Sequence, residues 1–197
     1  MTPKIIFKYS WIYDQNWKKW IKVYIKKEDK NYPTTPEVLN YIKKVEKMWR
    51  KCEKKVLREM TELTGLKWKE KNITCYVVGN CSPFSDPLTI KTYKEHDYFI
   101  DTLVHESIHQ LFTQEGNLEQ AAKAWKYFEK KYANETYRTR IHIPLHAIHW
   151  HIFLKFFGQK RLDRQIEKMN KYTDYKKAWD IVKKEGYQNV IGRFNNF

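Results

Sequence analysis

The run His105-Glu106-Ser107-Ile108-His109 sets two imidazoles four residues apart, with a carboxylate directly after the first. On a helix, residues four apart lie on one face a turn apart, so both rings can reach a single zinc ion at about 2.0–2.1 Å. Glu106 projects about 100° further round the helix than His105, which puts its carboxylate beside such an ion and outside the ligand set. There it can take a proton from water activated by the metal and pass it to a leaving amine. The chemistry expected of this trio is hydrolysis of a peptide bond, with Zn2+ as cofactor, His105 and His109 as ligands and Glu106 as the catalytic base.

A catalytic zinc takes a third protein ligand and keeps one position open. Four of the seven histidines, His142, His146, His149 and His151, fall close together in an apolar stretch. The first three follow i, i+4, i+7 spacing and can share a helix face. Pro144 is expected in the first turn of that helix, which leaves His142 at the entry and His146 well inside. Burying a polar ring unpaired costs about 1–3 kcal/mol, so a buried cluster needs partners, and a metal is one. His146 is taken as the third ligand, with His142 next and Glu119 or Glu135 behind. Any one of these histidines alone also reads as a ring hydrogen-bonded to tyrosine or carboxylate. His142, His149, Tyr137 and Arg140 are candidates for stabilising an oxyanion, and the sequence does not choose among them. Asp101, four residues before His105, can orient a ligand ring or complement the helix dipole. His96 reads as a solvated loop residue.

The segment FIDTLVHESIHQLF (Phe99 to Phe112) resembles the zincin metallopeptidases. The resemblance implies zinc binding by His105 and His109 and catalysis by Glu106. It also implies an upstream strand, Leu88 to Tyr93 or Ile73 to Val78, at the edge of the substrate cleft. No specific zincin family is indicated. The metzincin extension requires a histidine soon after the motif, and none follows before His142. The gluzincin pattern takes a glutamate from a later helix, and Glu119, Glu129 and Glu135 all lack a persuasive setting.

The elements that must position these residues can be read from periodicity. Phe99, Ile100, Leu103, Val104, Ile108, Leu111 and Phe112 recur at helical spacing, so the motif falls inside a helix from about Tyr98 to Glu115. Upstream, Lys4 to Tyr9 reads as a strand and Ser10 to Lys26 as a helix. A polar loop follows over Lys27 to Thr35. One long helix is expected from Pro36 to Leu63, capped by Thr35, with strands at Leu66 to Trp68, Ile73 to Val78 and Leu88 to Tyr93. Cys81 to Pro87 reads as a loop. Downstream, helices are expected at Leu118 to Tyr132, Pro144 to Phe157, Arg161 to Asn170 and Tyr175 to Glu185. The third-ligand helix is apolar nearly all round, hence central and buried. The fold class is α+β, predominantly helical, with a small sheet packed on the motif helix and the helices after it, a zincin-like arrangement.

At 197 residues the chain has the size of a single domain, with residues 1–30 as a candidate N-terminal appendage that could cover a cleft or, preferably, belong to the core. Eight tryptophans, fourteen tyrosines and ten phenylalanines supply large core side chains, which excludes a disordered chain. Three cysteines are too few and odd in number for a disulfide framework, although Cys75 and Cys81 could form one bridge. No signal peptide or membrane span is evident, and a cytoplasmic location is expected. The formal charge of +15 draws the chain toward polyanions: nucleic acid, an anionic membrane surface or an acidic partner. Lysines interleaved with aromatics (Trp17-Lys18-Lys19-Trp20, Trp49-Arg50-Lys51) support the competing function, a nucleic-acid-associated protein with a structural zinc site. The leading partner is a peptide or protein substrate.

Overall fold

The computed structural model describes residues 1–25 and 31–196. In chain order the elements are β1 (Lys4–Lys8), α1 (Trp11–Tyr24), α2 (Thr35–Arg50), α3 (Glu53–Thr64), β2 (Asn72–Val78), β3 (Phe84–Ser85), β4 (Leu88–Lys91), α4 (His96–Thr113), α5 (Leu118–Lys131), α6 (Tyr137–Phe156), α7 (Gln159–Met169), α8 (Thr173–Glu185) and α9 (Tyr187–Asn195). Helix predominates over one small mixed sheet, as the α+β reading requires. No helix among the described residues is long and apolar enough to cross a membrane.

The chain divides into two compact units. One comprises Thr2–Lys54 and Glu70–Gln110 and contains the sheet, in the order β1-β2-β4-β3. β1, β2 and β4 run parallel and β3 closes the edge antiparallel to β4. Strand β1 takes residues 4–8 into this sheet, so part of the N-terminal segment is core. The alternating burial of β2 presents Ile73, Cys75 and Val77 to one side. Ser10 caps α1 by accepting from the Tyr13 N–H. Asp14, buried on α1, accepts hydrogen bonds from the Gly79 N–H at 2.7 Å and the Tyr32 hydroxyl at 2.5 Å, which ties the helix to the end of β2. Gly79 is required there, because a Cβ would fall 2.5 Å from the Tyr32 ring. In the same unit Phe99 of α4 packs on Phe7 of β1 and on Tyr41 of α2.

The other unit takes in Lys55–Lys69 and the chain from Leu111 onward. Its centre is α6, which packs against α5, α7, α8 and α9. Ile143, Leu145, Ala147, Ile148, Ile152 and Phe153 are buried on it, with histidines between them. An all-round apolar helix has to be surrounded in this way, since it has no face suited to water.

Four expectations about the elements are corrected. The long helix over Pro36 to Leu63 is two helices, because the Lys51 and Cys52 N–H groups turn back to carbonyls three residues earlier. The break carries a purpose in packing: Glu53 just beyond it accepts from the Ile5 N–H at 2.8 Å and the Trp49 indole at 3.0 Å. Thr34, not Thr35, caps α2, in a reciprocal box with Glu37. Leu66 and Trp68 are buried with exposed neighbours like a strand, yet the backbone beside them is satisfied by side chains. Asn117 pairs with Lys67 N–H and C=O, and Gln114 accepts from the Lys69 N–H. Finally, α6 begins seven residues before Pro144, capped by Thr136, so the proline lies inside the helix. The short β3 and the final α9 were not expected. The loop expected over residues 27–35 and the end of the first helix at residue 26 fall largely on residues 26–30, outside the described residues.

Candidate metal centre

Helix α4 positions the motif. Leu103, Val104 and Ile108 are buried along with Phe99 and Ile100, so the apolar period that predicts the helix also anchors it. Asp97 stands in the first turn, where a carboxylate suits the helix dipole. His96 begins the helix rather than a loop, with its ring stacked on Tyr41 at 4.9 Å. His105 and His109 present their rings one turn apart, centroids 5.1 Å from each other and nearly perpendicular. His105 is buried and His109 half-buried.

Glu106 is buried, and loss of solvent pushes its carboxyl up to about 8. Its charge acts in turn on the thiols of Cys75 and Cys81 and on the Tyr93 phenol, each of which is raised chiefly by its own burial. The Cys81 thiol is pushed up to about 12, so it stays protonated at neutral pH. All three cysteines are free. Asp101 is completely buried, which separates it from an exposed first-turn carboxylate that merely complements the dipole.

The histidines of α6 have different surroundings from one another. The His142 Nδ1 lies 2.7 Å from the Arg138 carbonyl. A carbonyl oxygen only accepts, so Nδ1 carries the proton and Nε2 is the acceptor nitrogen of the neutral ring. Burial also holds this ring neutral, pushed down to about 4. His146 is stacked flat on Trp179, centroids 4.0 Å apart and 10° between planes. His149 meets Phe153 edge-on at 4.3 Å and is pushed down to about 3 by complete burial. The His151 Nε2 pairs with the Glu59 carboxylate at 2.8 Å, and Lys155 reaches the same group at 2.6 Å.

Three of these rings form a group with metal-ligand spacing: His105, His109 and His142 each offer a nitrogen, and these atoms all lie within 4.8 Å of one another. Three nitrogens on one tetrahedral zinc stand about 3.4 Å apart. The donor chemistry fits as well, because neutral imidazoles suit zinc. His146, expected as third ligand, is not in the group; the residue one turn before it is. Glu119 is exposed, and Glu135 pairs with Lys177 at 3.4 Å. Tyr137 is exposed and Arg140 half-buried.

Sequence reasoning missed the Arg138 carbonyl that sets the His142 tautomer, and the Tyr175 and Trp179 rings that receive His142 and His146. The i, i+4 spacing of Tyr175 and Trp179 marked an aromatic face on that helix, with no signal of what it faces. Comparison of the chain with protein-family models, with curated proteins and with solved structures finds no match.

Proposed function

We propose that this protein is a zinc-dependent peptidase of the zincin type, with His105, His109 and His142 as metal ligands and Glu106 as the catalytic base. The observation that carries the reading is the grouping of the three imidazole nitrogens, two of them from the HExxH motif whose glutamate is buried beside them. His142 takes the place expected for His146. Zinc bound there would supply a Lewis acid that polarises the scissile carbonyl and acidifies water.

Each residue has a role that its surroundings suit. Nδ1 of His142, held by the Arg138 carbonyl, directs Nε2 toward the ligand position. Glu106, in a desolvated pocket, has its proton affinity moved toward the neutral range, where a general base works best. A positive charge beside it favours the carboxylate form that accepts the proton. The same carboxyl, once protonated, donates to the leaving amine.

The test is metal content and peptide hydrolysis measured on the same preparations. Wild type should hold about one zinc per chain, His142→Ala should lose it, and Glu106→Gln should keep it while losing hydrolysis. A folded wild type that takes up no zinc on reconstitution would overturn the metal site. A zinc-loaded wild type with no activity on any denatured protein substrate would leave the site and remove the peptidase.

A further inference from the structure

Helix α1 carries a second feature that the metal centre does not use. Its inner side is fully employed: Asp14 and Ile21 are buried, Tyr13 packs on Tyr76, and Trp17 packs on Phe84. Its outer side interleaves exposed large apolar residues with the polar Asn16, Lys19 and Lys22. Trp11, Ile12, Trp20, Val23, Tyr24 and Ile25 are all exposed, Ile12 by 66% and Val23 by 62%. The spacing of Ile12, Lys19 and Val23 at i, i+7 and i+11 sets them in one line along the face opposite the buried Asp14 and Ile21, with Trp20 beside them.

The charge on this side has one sign. Lys19 and Lys22 are exposed on it and Lys18 at its flank lies over the Tyr32 ring, while the helix's one acid, Asp14, is buried and hydrogen-bonded to Gly79 and Tyr32. Exposed isoleucine and valine flanked by tryptophan, tyrosine and lysine make the composition of a helix that lies in a lipid interface. The aliphatics enter the acyl boundary, the aromatic rings sit at headgroup level, and the lysines reach anionic phosphates. A second copy of the chain fits poorly, because it would bring two lysine faces together. Nucleic acid would pair with the lysines and stack on Trp20, yet leave Ile12 and Val23 without a partner.

We infer that the outer face of α1 is a docking surface for a membrane containing anionic phospholipid, and that it seats the protein peripherally, without a span. The inference stands independently of the peptidase reading.

Flotation with vesicles tests it, using the full-length protein. Wild type should float with phosphatidylcholine vesicles that contain phosphatidylserine and much less with phosphatidylcholine alone. Ile12→Asn/Val23→Asn should weaken binding about tenfold or more. Lys18→Glu/Lys19→Glu/Lys22→Glu should weaken it about a hundredfold. Both sets change exposed side chains, and thermal unfolding checks that the fold survives. Failure of wild type to float with the anionic vesicles at low salt overturns the inference. So does equal binding to both vesicle types, or equal binding by the Ile12/Val23 variant, which would assign the attraction to the general +15 charge.

Discussion

Helices α4 and α6 both bury histidines in apolar surroundings, and they use them differently. On α4, His105 and His109 face each other across one turn with Glu106 beside them, and both offer nitrogens to one group. On α6, His142, His146 and His149 are spaced just as regularly, yet only His142 joins that group. His146 is stacked on Trp179 and His149 lies against Phe153, where an imidazole serves as an aromatic core side chain. Spacing decides which rings share a face. What stands opposite each ring decides which of them comes within reach of the motif histidines.

The comparison breaks most sharply at the motif. His105→Ala or His109→Ala should take bound zinc from about one per chain to none and abolish hydrolysis, read by metal analysis and peptide cleavage. Glu106→Gln should leave zinc in place and lower kcat by about 10²- to 10⁴-fold, the range for loss of a general base. Zinc lost in Glu106→Gln would move the carboxylate into the ligand set.

The next effect separates two residues of α6. His142→Ala should lose the bound zinc, as removal of one of three protein ligands does, with the fold intact. His146→Ala should keep full zinc stoichiometry and instead cost about 2–4 kcal/mol of stability, because it empties a stacked site in the core. Urea unfolding beside zinc titration reads both. An exchange of the two outcomes would restore His146 as the ligand.

The smallest effect is a pH slope. Burial pushes the His149 ring down to about 3, below the ordinary value near 6.5, so the folded state excludes a proton that the unfolded chain accepts. The contribution is fully present above about pH 6.5 and is lost as pH falls toward 3. Between pH 7 and pH 4 the metal-free wild type should lose on the order of 2 kcal/mol more stability than His149→Phe. Parallel slopes for the two proteins would place His149 in a wetter setting than the one described.

Much of the secondary structure was legible because the apolar period is local. Every apolar residue that predicts α4 is buried in it. The errors arose where a distant partner changes a local preference. Glu53 is drawn to the Ile5 N–H and interrupts what periodicity reads as one helix. Asn117 and Gln114 satisfy the backbone beside Leu66 and Trp68, so an alternating segment needs no strand partner. Pro144 was expected to open its helix because proline suits a first turn. The Thr136 cap and the buried first turns from Thr139 to Ile143 start it earlier.

By itself, the sequence determined that His105, Glu106 and His109 lie within one turn of one buried helix, since four-residue spacing and apolar period are properties of the chain alone. It also ranked His146 and His142 ahead of Glu119 and Glu135 as third ligand. Only the tertiary structure brought His142, and not His146, within 4.8 Å of the motif nitrogens. His142 and His146 share a face and differ by one turn, about 5.4 Å, and nothing local distinguishes them. The choice was made by the Arg138 carbonyl that orients one ring and the Trp179 indole that occupies the other.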